Sequence, residues 1–348
     1  QVQQAPFFQH PIGCGPFMVE EVNMKNYTIL APFDKYYNGV ADFKIQLLPS
    51  AGDSDPNVVT RAKSGNLDYG YTKMVADVQA LEGTPGITVT PIDVRYTRLF
   101  YLNKFDKKDG SPAPLADVRV RQALRYAIDM ETICETLFQG SAVPANALAP
   151  DANLKGGDLN DYNYNPEKAK ELLAEANWDP NTVIKAVYYY TDQATVDLMT
   201  AVQAYLADVG IKMEFELVEG DLATILWAAP ADQTNGPRAV DWDICYAANA
   251  ALSLHEYYDR YRTGSPTNSH TPEDAELNRL IDATNASADV NAQNEAFKEL
   301  IKYENENLFT MALYYQPIFL ITSDKIGDIQ KGTPQFCINW DIQNWNVQ

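Results

Sequence analysis

The chain has 348 residues with 27 Lys+Arg against 47 Asp+Glu, and 27 − 47 gives a formal net charge of −20. At roughly 100 to 200 residues per domain this length suggests two domains, and 46% apolar with 21% charged residues is a globular rather than a disordered composition. So negative a charge repels phosphate backbones and anionic lipid surfaces, which sets nucleic acid and membrane surfaces aside as partners.

The elements alternate along the chain. Extended segments are expected at residues 28–32, 43–48, 88–94 and 98–102. Asp117 is placed to cap a helix with Val120, Leu124, Ala127 and Ile128 on one face. Asn165-Pro166-Glu167 reads as an N-cap, an N1 proline and an acidic first turn ahead of Ala169, Leu172, Leu173 and Ala176. Residues 183–190, rich in β-branched and aromatic side chains, read as a strand. Thr195, Met199, Val202, Leu206 and Val209 then form a helical stripe that Gly210 stops, and Ile211, Met213, Phe215 and Leu217 alternate with charged residues as a second strand. Strand, helix and strand with short connections make a βαβ unit, expected to cross over right-handed. Thr271-Pro272-Glu273-Asp274 opens a helix through Leu277, Leu280 and Ile281, Asp289 opens another through Phe297, Leu300 and Ile301, and residues 308–315 are extended.

The architecture is therefore α/β. Crossings between lobes are expected around residues 94–103 and 315–320, where Gln316-Pro317 interrupts an apolar run. This division gives one lobe to residues 1–97 and 317–348 and an inserted second lobe, with the βαβ unit, to residues 98–316. Two connections between lobes make a hinge, and hinged lobes leave a cleft, the default place for a ligand.

Four cysteines, Cys14, Cys134, Cys245 and Cys337, stand far apart with no C-x-x-C pair, against a zinc ribbon or thioredoxin-type motif. A Cys14–Cys337 disulfide and four buried thiols are both open. No run of 18 apolar residues occurs. The opening Gln1-Val2-Gln3-Gln4 shows neither the basic nor the apolar region of an export signal.

The search for catalysis is negative. No G-x-S-x-G elbow, H-E-x-x-H helix or P-loop is present, and Gly13-Cys14-Gly15 lacks the third glycine and the preceding strand of a dinucleotide fingerprint. The three histidines, His10, His255 and His270, leave little for metal or acid/base work. An Asp/Glu hydrolase pair is a reading of another class, and among 47 acidic residues a chance pairing says nothing. Tyrosines are more informative. There are 21, clustered at Tyr69/Tyr71, Tyr96/Tyr101, Tyr188–Tyr190, Tyr257/Tyr258 and Tyr314/Tyr315, and tyrosine suits a wet binding surface because it offers area and a hydroxyl at small entropic cost.

Several phrases in order resemble one family. Ile12-Gly13-Cys14-Gly15-Pro16-Phe17 is similar to the I-G-T-G-P-[YF] signature of extracellular solute-binding proteins of family 5, the peptide/nickel group that serves ABC importers. Ser64-Gly65-Asn66-Leu67-Asp68 resembles its S-G-E-x-D. Asp117-Val118-Arg119-Val120-Arg121-Gln122-Ala123-Leu124, continuing to Ala127-Ile128-Asp129, matches V-R-x-A-[IL]-x-x-A-I-D, and Tyr164-Asn165-Pro166-Glu167-Lys168-Ala169 with Leu172-Leu173 resembles Y-[ND]-P-x-x-A-x-x-L-L.

The resemblance implies a two-lobed type II periplasmic-binding-protein fold with an incomplete first lobe. In the family the G-T-G-P motif follows a long first-lobe segment, so the chain is expected to be a C-terminal fragment lacking that segment and its export signal or lipid-anchor cysteine. The implied role is non-enzymatic. As the binding component of an ABC importer, it would take an oligopeptide or similar small solute, without cofactor and as a monomer, and deliver it to permease subunits. The implied location is extracytoplasmic, periplasmic or as a cell-surface lipoprotein. Ligand contacts are expected from Tyr71 and Lys73 in the first lobe, Arg98 and Tyr101 near the hinge, and Tyr188, Tyr190, Tyr246 and Asn249 in the second, with Lys73 or Arg98 taking a ligand carboxylate.

One departure bears on the ligand. Peptide binders of the family hold the peptide ammonium with the Asp of G-W-x-x-D-Y-x-[DE]-P, and here Leu252 or Ala251 falls at that place in the run from Trp242. A buried ammonium without a counter-charge costs several kcal/mol, which argues against that anchor. The alternative within the fold is a nickel or metal-chelate receptor using His255 or His270. The charge of −20 favours a cationic or neutral solute unless local Lys and Arg reverse it.

Overall fold

The computed structural model describes residues 11–23, 26–49, 55, 57–92, 96–150, 154–155, 158–250, 253–327 and 341–348. Gln1–Gln4, His10, Ala251, Leu252 and Cys337 lie outside the described residues, and with Cys337 the Cys14–Cys337 pairing. The chain divides into two compact units, Gln1–Val94 with Pro317–Gln348, and Arg95–Gln316.

The first unit opens with an antiparallel sheet of β1 (Phe17–Asn23), β2 (Tyr27–Pro32) and β3 (Ile45–Leu47), in that order. Helix α1 (Val58–Lys63), strand β4 (Tyr69–Thr72), helix α2 (Val75–Leu81) and strand β5 (Ile87–Ile92) follow. Between α1 and β4, Gly65 takes φ +72°, the left-handed backbone that a side chain resists, and turns the chain into β4.

The second unit is a mixed six-stranded sheet with helices on both faces. Its elements are β6 (Tyr96–Leu102), α3 (Val118–Ala127), α4 (Met130–Thr136), β7 (Val143–Pro144), α5 (Pro166–Glu175), β8 (Val183–Tyr188), α6 (Gln193–Asp208) and β9 (Lys212–Leu217). After them come α7 (Leu222–Leu226), β10 (Ile244–Ala250), α8 (Leu254–Asp259), α9 (Ala275–Ala283), α10 (Val290–Asn307) and β11 (Thr310–Tyr315). The strand order is β7-β11-β6-β10-β8-β9, with β8 parallel to β9 and β10, and β6 antiparallel to β10 and β11. All seven residues of β6 pair with β10, so the unit boundary falls before this strand rather than between residues 97 and 98.

The period-2 alternation of the strands sorts two cores onto two faces. Phe100, Leu102, Ile184, Ala186, Ile244, Tyr246, Met311 and Leu313 face one core, filled by Val120, Leu124, Leu173, Met199, Val202 and Leu206 from α3, α5 and α6. Leu99, Tyr101, Val187, Cys245 and Ala247 face the other, filled by Tyr257, Tyr258, Leu277, Ile281, Phe297 and Leu300 from α8, α9 and α10. Each fully buried Leu, Ile or Phe of these layers is worth roughly 1.5–3 kcal/mol. Cys134 lies in the first core and Cys245 in the second; burial raises both thiol pKa values, Cys134 to about 12, while Cys14 is exposed.

The βαβ unit is β8-α6-β9. Asp192 caps α6 by accepting from the Thr195 amide at 2.9 Å, and Gly210 at φ +87° ends it. Asn165 caps α5 through the Lys168 amide, and Asp289 caps α10 through that of Ala292. Helix α9 begins after Asp274, three residues later than Thr271: the Asp274 carboxylate accepts from the Glu276 and Leu277 amides, whereas the Thr271 amide donates to Asn268 Oδ1. The family-like stretch from Asp117 serves the scaffold. Buried Arg121 donates to the carbonyls of Leu115, Ala116 and Asn307 and so ties the start of α3 to the end of α10.

The chain returns to the first unit as β12 (Ile318–Ser323), which lies between β4 and β5 and pairs antiparallel with both. Val58, Ala62, Leu81 and Ile321 form the small core there. Asp68, from the Ser64–Asp68 motif, accepts from Ser323 Oγ at 2.9 Å and from Lys325 Nζ at 3.0 Å, fastening β12 to the turn before β4. Short strands β13 (Ile326–Gly327) and β14 (Asn346–Val347) pair antiparallel near the C-terminus.

Candidate functional site

In an α/β sheet, ligands gather outside the carboxyl ends of the parallel strands. Here that edge is where β8 and β10 end and antiparallel β6 begins. Arg98 sits on it, opposite Ala248 of β10 and Tyr314 of β11. Its guanidinium carbon lies 4.3 Å from the centroid of the Tyr190 ring and 5.8 Å from that of Tyr246, a cation–π arrangement that holds a charge against apolar surface. The Tyr246 and Tyr314 hydroxyls are 2.7 Å apart, and Tyr190 meets Tyr246 edge-on. Burial pushes the Tyr246 pKa well above its ordinary value, with Tyr314 adding to it and Arg98 opposing, so the phenol stays neutral beside the guanidinium.

Three of the eight residues singled out in the sequence, Arg98, Tyr190 and Tyr246, thus come together. Tyr188 is the last residue of β8 and packs against Phe215 at 6.2 Å. Tyr246 is 1% exposed, and its ring is part of the first core. Asn249 is buried and donates to the Tyr257 carbonyl at 3.0 Å, pinning the end of β10 to α8. Tyr101 points to the opposite face, where its hydroxyl accepts from Arg260 Nη1 at 2.8 Å; burial lifts its pKa to about 12 against the lowering by Arg260. Tyr71 and Lys73 belong to the first unit, Tyr71 exposed on β4 and Lys73 buried just beyond it.

The histidines stand apart. His255 Nδ1 is 2.8 Å from Thr284 Oγ1, and its Nε2 is 3.9 Å from Asp259. His270 is fully buried, stacked on Tyr101 with centroids 5.0 Å apart, and Nδ1 is 2.9 Å from Thr271 Oγ1. Burial, then Lys104 and Arg260, depress its pKa well below the usual value and keep the ring neutral. Among the described residues no three His, Cys, Asp or Glu side chains converge as a metal site.

Sequence reasoning missed Arg260 and Trp227. Arg260 follows the last turn of α8, and its guanidinium carbon is 5.5 Å from the Tyr101 ring and 5.6 Å from that of Trp227. Tyr189 and Tyr190, with hydroxyls 3.0 Å apart, link the two faces: Tyr189 packs against the second core and Tyr190 against the first. Adjacent tyrosines past the end of β8 were the available signal; nothing in the local sequence marks Arg260.

The model for "Bacterial extracellular solute-binding proteins, family 5 Middle" matches residues 2–271. A putative ABC transporter peptide-binding protein of Brucella ovis is 29% identical over 208 residues, covering 58% of this chain and 38% of that protein. The oligopeptide-binding protein AppA of Bacillus subtilis is 26% identical over 272 residues, covering 72% of this chain and 46% of that protein. The chain thus spans less than half the length of these relatives. Among solved structures, the ABC transporter substrate-binding protein CtaP of Listeria monocytogenes superposes with a TM-score of 0.80 at 17% identity, over 100% of this chain and 69% of that one.

Proposed function

The chain belongs to the bacterial extracellular solute-binding proteins, family 5, and from that premise we propose that it is the non-enzymatic binding part of an ABC importer. Its solute is an oligopeptide or a similar small molecule, passed on to permease subunits outside the cytoplasm. The protein works without a cofactor and as a monomer. The observation that carries this reading is the Arg98, Tyr190 and Tyr246 cluster at the carboxyl ends of β8 and β10. It offers a ring face, hydroxyls and a positive charge, which together recognise a peptide by stacking and hydrogen bonding. Tyr246 and Tyr101 act from beneath, holding Arg98 and Arg260, and Tyr188 and Asn249 fix the strand ends. Tyr71 and Lys73 are the contacts proposed from the first unit.

A receptor of this kind changes state because the ligand makes better contacts in one conformation than in another, not because a bond is made. No observation favours the hydrolase reading. Nor does any observation favour the metal-chelate reading: His270 is fully buried against Tyr101, and among the described residues no three His, Cys, Asp or Glu side chains converge around it or His255.

Tyr190 is the residue to test, because it is partly buried and its removal spares the core. Titration calorimetry with a pool of short peptides should give a dissociation constant at least tenfold weaker for Tyr190→Ala, a loss of roughly 1.4 kcal/mol. Equal affinity for both proteins removes Tyr190 from the site, and no heat with either removes the peptide reading.

A further inference from the structure

We propose that Glu304 is the proton-binding centre of a latch: holding its proton, it seats residues 147–149 across the start of β6 and the end of β11, the strands by which the chain enters and leaves the second unit, and giving the proton up frees that segment. The inference goes beyond the receptor reading and does not depend on the solute. Ala147, Leu148 and Ala149 are fully buried, yet they belong to no helix or strand. Irregular backbone taken out of water must still find hydrogen bonds, and here side chains supply them. The Tyr315 hydroxyl donates to the Ala147 carbonyl at 2.6 Å, Thr97 Oγ1 donates to the Leu148 carbonyl at 2.7 Å, and the Leu148 amide donates to Glu304 Oε1 at 2.6 Å. Thr97 and Tyr315 face each other across the β6–β11 ladder, close to the two unit boundaries before Arg95 and after Gln316. One buried segment therefore bridges both connecting strands, and one carboxyl group on α10 holds it from the other side.

Glu304 is thus a positioning residue, and its proton sets how firmly it positions. Its Oε2 lies 2.8 Å from the Tyr258 hydroxyl, which is also hydrogen-bonded by the Ala149 backbone. A glutamine could make both of these contacts; what the acid adds is a charge that comes and goes. The groups facing it are the phenols of Tyr258 and Tyr261 from α8 and the turn after it, the phenol of Tyr315 from β11, and the ammonium of Lys155 from the segment ahead of α5. Tyr257 of α8 and Arg125 of α3 act on Tyr315 in turn, and Lys155 Nζ donates to the Tyr315 hydroxyl at 2.6 Å. Burial outweighs the two donors and Lys155 together, so the carboxyl group keeps its proton up to about pH 8. Once water reaches it, the same group returns toward its ordinary value of 4.5. Between these two values, lifting the segment releases a proton. Opening therefore becomes easier as pH rises, by up to about tenfold per pH unit, and levels off above pH 8.

Amide hydrogen exchange followed by NMR from pH 5 to pH 9, expressed as protection factors, tests this on the wild-type chain, on Glu304→Gln and on Tyr315→Phe. In the wild type, protection of the Leu148 amide should fall about 100-fold or more between pH 5 and pH 8 and then level off, while Val202 in α6 stays better protected throughout. In Glu304→Gln it should change less than about threefold over the same range, because the amide keeps the contacts and carries no proton to lose. Tyr315→Phe, which strips the Ala147 carbonyl of its partner, should lower protection at every pH and keep the pH dependence. A flat wild-type profile, a fall of equal size in Glu304→Gln, or exchange of Leu148 only through the opening that exposes Val202 overturns the latch. Where Glu304→Gln does not fold, the carbon-13 titration of the Glu304 carboxyl in the wild type decides: a midpoint near pH 8 supports the latch, and one below pH 5 overturns it.

Discussion

The two faces of the six-stranded sheet carry the same kind of group in different settings. On the first, Arg98 comes from a strand and lies over tyrosines at the rim of a core made largely of Leu, Ile, Val, Met and Ala. On the second, Arg260 comes from the end of a helix, and the core around it is threaded with polar groups: His270, the Arg238–Asp243 pair and Glu304. Periodic burial builds most of the first face, with Arg121 and Arg125 of α3 buried at its edge against backbone carbonyls. The second is held in addition by buried polar contacts, each costly if one partner is removed. That difference makes the second face the more sensitive to charge.

Asp243→Ala is the change expected to break this contrast most strongly. Its Oδ1 accepts from Arg238 Nη1 at 2.8 Å and its Oδ2 from the Lys185 amide at 2.9 Å, with both side chains of the ion pair almost fully buried. Removing the acid leaves a buried guanidinium uncompensated and should cost about 3–5 kcal/mol in denaturant unfolding. A loss below about 1 kcal/mol would place the strength of this face in its apolar packing alone.

A smaller effect should follow pH. Glu304 accepts from the Leu148 amide at 2.6 Å and the Tyr258 hydroxyl at 2.8 Å, yet burial outweighs both donors and lifts its pKa to about 8. The folded chain therefore keeps a proton that the unfolded chain gives up near pH 4.5. This group favours folding most below that pH, and the contribution is lost as pH rises toward 8. The stability of the wild type relative to Glu304→Gln should fall by up to about 1 kcal/mol per pH unit across that window. Parallel pH profiles would mean that Glu304 is ionised in the fold.

The sequence was most legible where local rules act alone. Alternation in Met213 and Phe215, the α6 stripe and its stop at Gly210 gave β8-α6-β9, and Asn165-Pro166 gave the start of α5. It was less legible where a residue's partner is distant. The opening of α9 was legible as the run 271–274 but not to the residue: Asp274 caps the helix, and Thr271 answers to Asn268 and His270 instead. Of the site, Arg98 and Tyr190 were visible as a charge and a tyrosine cluster near strand ends. Arg260 was not, since its setting is made by Tyr101, 159 residues away, and by Trp227. Tyr246 shows the converse: it was singled out for its place in a motif, and the fold buries its ring in a core while its hydroxyl meets Tyr314.

The most direct measurement is a crystal structure of the chain grown with a free-acid tripeptide that binds it in calorimetry. The account predicts peptide density at the carboxyl ends of β8 and β10, against the Tyr190 ring and beside Arg98. Peptide density elsewhere on the chain, with the Tyr190 ring untouched, would contradict it.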